Sequence, residues 1–266
     1  MSDLCDKAAL IIGGGSGIGA ATGRRLAADG VRVLVFGPDR EPLQAIAKEV
    51  DGVAVSGDAA EPADAKRAMG MAVERFGGLD SLIVCAGSLE NSPLVETTAA
   101  GWERCMHDNL ETAVVTCREG LPLLLARGGG AIVLVSSVGG LASSPNTAGY
   151  STAKAGLIGL MRSIAVDYGP KGIRANAVCP GWVRTPMSER VLRGFASEHG
   201  LSFDEAARRA NKVIPLRRYA EPYEIAAVCR FLISDEASFV TGSTLVADGG
   251  GMAVNIGTLV IGDDLA

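Results

Sequence analysis

Histidine is almost missing from this chain. His107 and His199 are the only two, too few and too far apart to suggest metal catalysis. The six cysteines (Cys5, Cys85, Cys105, Cys117, Cys179 and Cys229) show no paired spacing, which excludes a disulfide framework and a metal site and leaves reduced, mostly buried thiols. Positive charge is not in excess: 25 Lys and Arg against 30 Asp and Glu give a net charge of −5, which argues against a nucleic-acid partner. No uncharged apolar run is long enough to cross a membrane and no signal-peptide pattern is present, so a cytoplasmic protein is expected. Aromatic residues make up only 5% of the chain, while 48% of it is hydrophobic and 35 residues are glycine, a composition suited to tight helix–sheet packing. No linker, composition break, repeat or low-complexity segment divides the 266 residues, so 1–266 reads as one domain.

What is present is an alternation of strand and helix patterns. Strand candidates lie near 8–12, 31–36, 53–56, 81–85, 131–135, 173–178 and 244–247. Helical stretches lie near 17–29, 40–50, 62–76, 98–126, 150–168, 187–211 and 222–232. That order predicts an α/β fold: a doubly wound, Rossmann-type parallel sheet of about seven strands with helices on both faces.

The first strand candidate breaks into Gly13-Gly14-Gly15-Ser16-Gly17-Ile18-Gly19 and then into a helical pattern through Ala20, Leu26 and Ala27. A strand, a glycine turn and a helix start put unpaired N–H groups and the positive end of a helix dipole at one spot, which suits a pyrophosphate. Side chains larger than hydrogen would block the turn or hold the phosphate away. An ordinary glycine-rich turn is the plain alternative for this motif taken alone. The spacing of Gly13, Gly17 and Gly19 is G-x-x-x-G-x-G rather than G-x-G-x-x-G.

The strand candidate 131–135 ends in Ser136-Ser137, so these hydroxyls lie at its carboxyl end, the edge where open α/β sheets bind ligands. Tyr150 opens a helical stretch, and Lys154 follows one turn later on the same face. A phenol with a pKa near ~10 is a poor acid–base catalyst at neutral pH, and a neighbouring ammonium would lower that pKa. Ser137 can hold a reacting oxygen against the tyrosine. Together with the glycine turn, these residues describe a dinucleotide-dependent transfer of hydride to or from a carbon–oxygen bond.

In order and register, the chain resembles a short-chain dehydrogenase/reductase over nearly its whole length. The resemblance is carried by the glycine turn, Ser137, Tyr150-Ser151-Thr152-Ala153-Lys154, Asn176, Pro180-Gly181, Ser234-Asp235-Glu236-Ala237, Val240-Thr241-Gly242 and Asp248-Gly249-Gly250. It implies that Tyr150 is the general acid/base, that Ser137 orients the substrate oxygen, and that Lys154 lowers the phenol pKa and binds the nicotinamide ribose. It makes Asn109 the support of a proton-relay water, Asp58 the acidic residue near the adenine, and Thr185 a hydroxyl near the carboxamide. The remaining cofactor contacts it implies fall on Gly13, Gly15, Ser16, Gly17, Ile18, Gly19, Ala59, Ala86, Gly87, Pro180, Gly181 and Val183.

Two departures stand out. Ile12 replaces the usual threonine, and Val84-Cys85-Ala86-Gly87 replaces Asn-Asn-Ala-Gly. The family fold makes the first and fourth strands neighbours, so a buried polar contact would be exchanged here for packing, which is nearly neutral when both partners change. Independent drift at the two positions is the alternative. Gly37 stands where NAD-preferring relatives carry an aspartate; Pro38 and Ser16 stand where NADP-preferring relatives carry basic residues. With Arg40 near and Asp39 opposing it, the reading favours NADP over NAD.

The stretch 187–219 reads as a substrate lid, with Phe195, Leu201 and Phe203 as candidate apolar walls or as parts of an ordinary amphipathic lid. The tail 252–266 carries Val254, Ile256, Leu259, Val260 and Ile261 and reads as a contact with another subunit or the substrate mouth. The family implies a homotetramer, and the apolar residues Leu110, Val114, Val115, Leu121, Leu123 and Leu124 of 98–126 agree with it. The expected activity is interconversion of a small, partly apolar secondary alcohol and ketone. One alternative is a 3-oxoacyl-thioester reductase served by Arg184, Arg190 and Arg193. Another is a non-catalytic dinucleotide-binding scaffold, whose expected mark, loss of the tyrosine or lysine, is not seen.

Overall fold

Five consecutive apolar residues form β1 (Ala8–Ile12), and all five are buried because helices cover the strand on both sides. Leu10 and Ile12 enter one core and Ile11 the other, as the two-residue strand period requires. The structure, a computed structural model, describes residues 3–89 and 91–255. The other strands are β2 (Arg32–Gly37), β3 (Val53–Ser56), β4 (Ser81–Val84), β5 (Gly130–Val135), β6 (Ile173–Pro180) and β7 (Thr244–Ala247). All pair in parallel, in the order β3-β2-β1-β4-β5-β6-β7. The strand order reverses between β1 and β4, and ligands of open α/β sheets bind outside the carboxyl ends at such a point.

Helices follow in the order α1 (Gly17–Ala28), α2 (Arg40–Glu49), α3 (Pro62–Phe76), α4 (Ala99–Met106), α5 (Thr112–Ala126), α6 (Ala148–Tyr168), α7 (Pro186–Glu198), α8 (Phe203–Asn211) and α9 (Pro222–Ile233). Leu26 of α1, Ile46 of α2 and Leu232 of α9 pack on one side of the sheet with Val33 and Val35. Met69 of α3, Leu124 of α5 and Met161 of α6 pack on the other with Leu34 and Leu82.

Two long helical expectations are divided. The stretch 98–126 is interrupted by a wide π turn at His107–Glu111, where the Asn109 side-chain amide donates to the Cys105 carbonyl at 3.0 Å. Insertions of this kind cluster at functional sites. The stretch 187–211 is two helices, because Gly200 adopts φ +63° and Ser202 starts α8 with a reciprocal cap to Glu205. α6 begins at Ala148, two residues before Tyr150. Ile12 and Val84 are register partners, both buried, and the Cys85 N–H donates to the Ile12 carbonyl at 2.8 Å. The two apolar replacements therefore pack against one another.

Candidate active site

The glycine turn lies at the carboxyl end of β1, and its shape depends on missing side chains. Gly13 has φ +74°, and a Cβ there would lie 2.8 Å from the Ala86 nitrogen. A Cβ on Gly19 would collide with the Gly13 carbonyl. Ser16 caps α1 with an extended backbone and no side-chain cap bond, so first-turn N–H groups face the cleft beside the positive helix end. This cradle fits a pyrophosphate.

Ser137 follows β5 and starts a short turn; its Oγ accepts the Gly139 N–H at 3.0 Å and is also hydrogen-bonded to Tyr150. The neighbouring Ser136 Oγ donates to the Lys154 carbonyl at 2.7 Å, tying β5 to α6. Lys154 is buried, its Nζ donates to the Val135 carbonyl at 3.2 Å, and it sits 5.7 Å from the Tyr150 ring centroid. Asn109 reaches the same point from the π turn: a Cβ on Gly87 would lie 2.7 Å from Asn109 Oδ1 and 3.0 Å from Lys154 Nζ. The structure thus brings Ser137, Tyr150, Lys154 and Asn109 together from three separate segments.

Burial governs the charges here. It pulls Lys154 down to about 8, with the neighbouring thiols of Cys85, Cys105 and Cys179 opposing it. Burial also raises the Tyr150 phenol, against the hydrogen bond from Ser137. The sequence predicts a phenol lowered by the ammonium. In this geometry desolvation outweighs any such effect, and the ammonium is directed at the Val135 carbonyl.

A cavity of about 310 Å³ opens in front of Tyr150 and Ser137, walled by Ile18, Leu89, Val138, Trp182, Met187 and Val191. No Asp, Glu, Lys or Arg lines it among the described residues. Pro180, Gly181, Val183 and Thr185 lie on its wall too. A second cleft, about 450 Å³, adjoins it along Gly13, Ser16, Gly17, Ile18, Gly19, Gly37, Asp58, Ala59, Ala86, Gly87 and Thr185. Gly15 and Arg40 line neither cavity; a Cβ on Gly15 would instead face Pro42 and Leu43 of α2.

Other expected positions serve the fold. Asn176 bonds the Val240 carbonyl and the Ser243 N–H, fastening β6 to the segment before β7. Leu201 and Phe203 pack inside the lid against Leu192, Ala196 and Ala206, and Phe195 lies on His199 at 4.2 Å between ring centroids. None of the three lines the cavity at Tyr150; Met187 and Val191 of α7 take that place. Val115, Leu121 and Leu124 are buried within the subunit, whereas Val114 is exposed. Ile256, Leu259, Val260 and Ile261 lie outside the described residues.

Sequence reasoning missed the polar wall of the cleft. His107 Nε2 lies 3.2 Å from Asp58 and Nδ1 lies 3.1 Å from Asp108, while the Ser88 hydroxyl donates to Asp108 at 2.8 Å. Nothing in the local sequence marks Asp58 and His107 as partners, because the contact joins the end of β3 to the π turn. Asp39 also lines the cleft.

Known proteins resemble the chain in sequence and fold over nearly its whole length. Residues 13–251 match a family model described as enoyl-(acyl carrier protein) reductase. The chain is 40% identical over 252 residues to a cyclohexanol dehydrogenase of Acinetobacter sp. (strain SE19), covering 92% of this chain and 94% of that one. The crystal structure of a levodione reductase superposes with a TM-score of 0.90 at 35% identity, covering 94% of this chain and 99% of the other. A variant of actinorhodin polyketide ketoreductase solved with NADPH superposes with a TM-score of 0.88 at 31% identity, covering 92% and 97%.

Proposed function

The chain belongs to the short-chain dehydrogenase/reductase family, and on that premise we propose that it interconverts a neutral secondary alcohol and its ketone. The observation that carries this reading is the convergence of Ser137, Tyr150, Lys154 and Asn109 where a cavity without charged side chains among the described residues meets a glycine-cradled cleft. A bound nicotinamide dinucleotide supplies or accepts the hydride. Tyr150 hands its proton to the carbonyl oxygen in reduction and takes one from the alcohol in oxidation. Ser137 donates to the same oxygen and fixes its place. Lys154 binds the ribose and sets the charge beside the phenol, and Asn109 supports the water through which the proton is replenished. The names of the relatives, a cyclohexanol dehydrogenase and a levodione reductase, agree with a carbocyclic substrate of modest size.

For the cofactor, the sequence favours NADP through Arg40. The cleft supports NAD instead: Asp39, Asp58 and Asp108 line it, and neither Arg nor Lys does among the described residues. A 2′-phosphate would meet carboxylates without a compensating guanidinium. Residues 187–219 act as the lid in this reading, the chain forms a single domain, and it works as a homotetramer.

A second reading, reduction of an acyl thioester on a phosphorylated carrier, draws support from one feature. Arg184, Arg208, Arg209, Lys212 and Arg217 line a separate cavity in the lid, which shares Ser188 with the cavity at Tyr150. Arg193 is engaged over the Phe203 ring at 4.8 Å. Presenting cyclic ketones, cyclic alcohols and 3-oxoacyl thioesters with NADH/NAD and NADPH/NADP, and following reduced-nicotinamide absorbance, tests both. Turnover of neutral cyclic substrates with NADH is expected. Turnover of thioesters alone would favour the second reading, and cofactor binding without turnover of anything would favour a scaffold.

A further inference from the structure

The cofactor cleft has a wall that the catalytic reading does not use. Asp58 follows β3 at the edge of the sheet, far from Tyr150 and Ser137, which follow β5 across four intervening pairings. A dinucleotide whose nicotinamide meets Tyr150 therefore extends its adenosine half toward Asp58. His107 faces that half of the cleft from the π turn, with its two ring nitrogens 3.2 Å from Asp58 and 3.1 Å from Asp108. Asp108 continues the chain to the Ser88 hydroxyl at 2.8 Å, and the Ser88 N–H donates to Asn109 Oδ1 at 3.2 Å. Among the described residues lining the cleft there are three carboxylates, Asp39, Asp58 and Asp108, and His107 is the one side chain able to carry a positive charge.

We infer that His107 is a positioning residue for the adenosine half of the cofactor: it pins Asp58 and Asp108 to one another and, when protonated, supplies the cation that lets an acidic cleft accept a pyrophosphate. The inference rests on the dinucleotide reading and deepens it. A protonated ring is hydrogen-bonded to Asp108 through Nδ1 and holds Asp58 by its charge at 3.2 Å from Nε2, whereas a neutral ring has no charge with which to hold Asp58. The groups facing the ring are Asp58 from the β3 end and Asp108 and Glu111 from its own turn; Lys154 of α6 is turned to the Val135 carbonyl. The Asp108 hydrogen bond raises His107 above its ordinary value, burial opposes it, and the charges of Asp58, Asp108 and Glu111 add to the rise. Deprotonation at higher pH releases one carboxylate and leaves the cleft more negative, so ligands bearing the adenosine diphosphate group should bind more weakly.

The test is affinity for ADP and for NADH between pH 6 and 8.5, by calorimetry and nicotinamide fluorescence, in the wild type, His107→Gln and His107→Arg. ADP is included because it lacks the nicotinamide half and so is insensitive to Tyr150 and Lys154. Wild-type affinity for both should fall by about threefold to tenfold over this range, the effect of one nearby charge in a solvated cleft. His107→Gln should bind at the weaker, high-pH level throughout, and His107→Arg, a permanent cation able to bridge two carboxylates, should hold the tighter level throughout. A wild type that binds both ligands with no pH dependence would overturn the inference while leaving the cofactor reading intact. Tighter binding by His107→Gln at every pH would overturn it too, showing that His107 competes with the ligand for Asp58. Absence of binding by ADP and NADH at any pH would remove the dinucleotide reading and this inference with it.

Discussion

Lys154 Nζ donates to the main-chain carbonyl of Val135 at 3.2 Å, so the one buried ammonium of the site is anchored to the end of β5 rather than to a carboxylate. Its pKa falls to about 8 through desolvation. A shift of that size corresponds to roughly 3 kcal/mol held against the folded state at neutral pH. The ammonium is kept at a cost in stability, which is the pattern of a functional residue.

Lys154→Met should therefore stabilise the cofactor-free protein at pH 7, by about 1–3 kcal/mol, while impairing turnover and cofactor binding. The sign follows from the lowered folded pKa. Between about pH 8 and the ordinary lysine value of 10.5 the unfolded chain holds more protons on this group, so its cost fades as pH rises. Urea unfolding of the two proteins at pH 7 and 9.5 should show a gap that narrows at the higher pH. A variant less stable than wild type at pH 7 would contradict the argument.

Tyr150→Phe should lower turnover by at least about a hundredfold, the usual worth of a general acid, while cofactor affinity stays within about twofold. Only the hydroxyl hydrogen-bonded to Ser137 is removed. Single-turnover kinetics with parallel cofactor titration separate the two effects, and substantial residual turnover would exclude Tyr150 as the acid/base.

The raised Tyr150 pKa keeps the phenol protonated across the neutral range. Ketone reduction, which draws a proton from it, should persist from neutral to mildly alkaline pH, and alcohol oxidation should climb only as the medium becomes alkaline. Profiles of kcat/KM in both directions, with chemistry rate-limiting, check this. An oxidation rate already maximal and flat at neutral pH would count against the assignment.

Cofactor choice is tested at Asp39. NADH should bind more tightly than NADPH in the wild type, and Asp39→Ser should narrow that preference by roughly tenfold, about the worth of one charge-assisted hydrogen bond or one relieved repulsion. Fluorescence titration of both nucleotides measures it. Tighter NADPH binding by the wild type would restore the role of Arg40.

Assembly has its own signature. Val114 on α5 and Val166 on α6 are exposed, and Val246 on β7 and Met252 beside it are exposed at the sheet edge. A homotetramer would cover these patches, and a charged pair of substitutions such as Val114→Glu with Val166→Glu should shift sedimentation toward smaller species and lower activity, since α6 carries Tyr150 and Lys154. Wild type sedimenting as a fully active monomer would sink the proposal.

The strands were legible in the sequence most plainly where burial on both faces makes an unbroken apolar run, as in Ala8–Ile12, and less so in β6, where Arg174 and Asn176 interrupt the run, and in β7 at the sheet edge, where Val246 is exposed. The tight turn after β1 was legible as well, since Gly13, Gly17 and Gly19 mark a backbone that a side chain would strain or block. The spacing of Tyr150 and Lys154 could be read for the same local reason: four residues make one helical turn. Where α4 gives way to a π turn could not, because the widening is supported by the Asn109 side chain acting on the Cys105 carbonyl. The Asp58–His107 contact, the direction of the Lys154 ammonium and the rise of the Tyr150 pKa arise only in the folded chain. Each depends on which side chains from distant segments meet, and on how much water is excluded where they do.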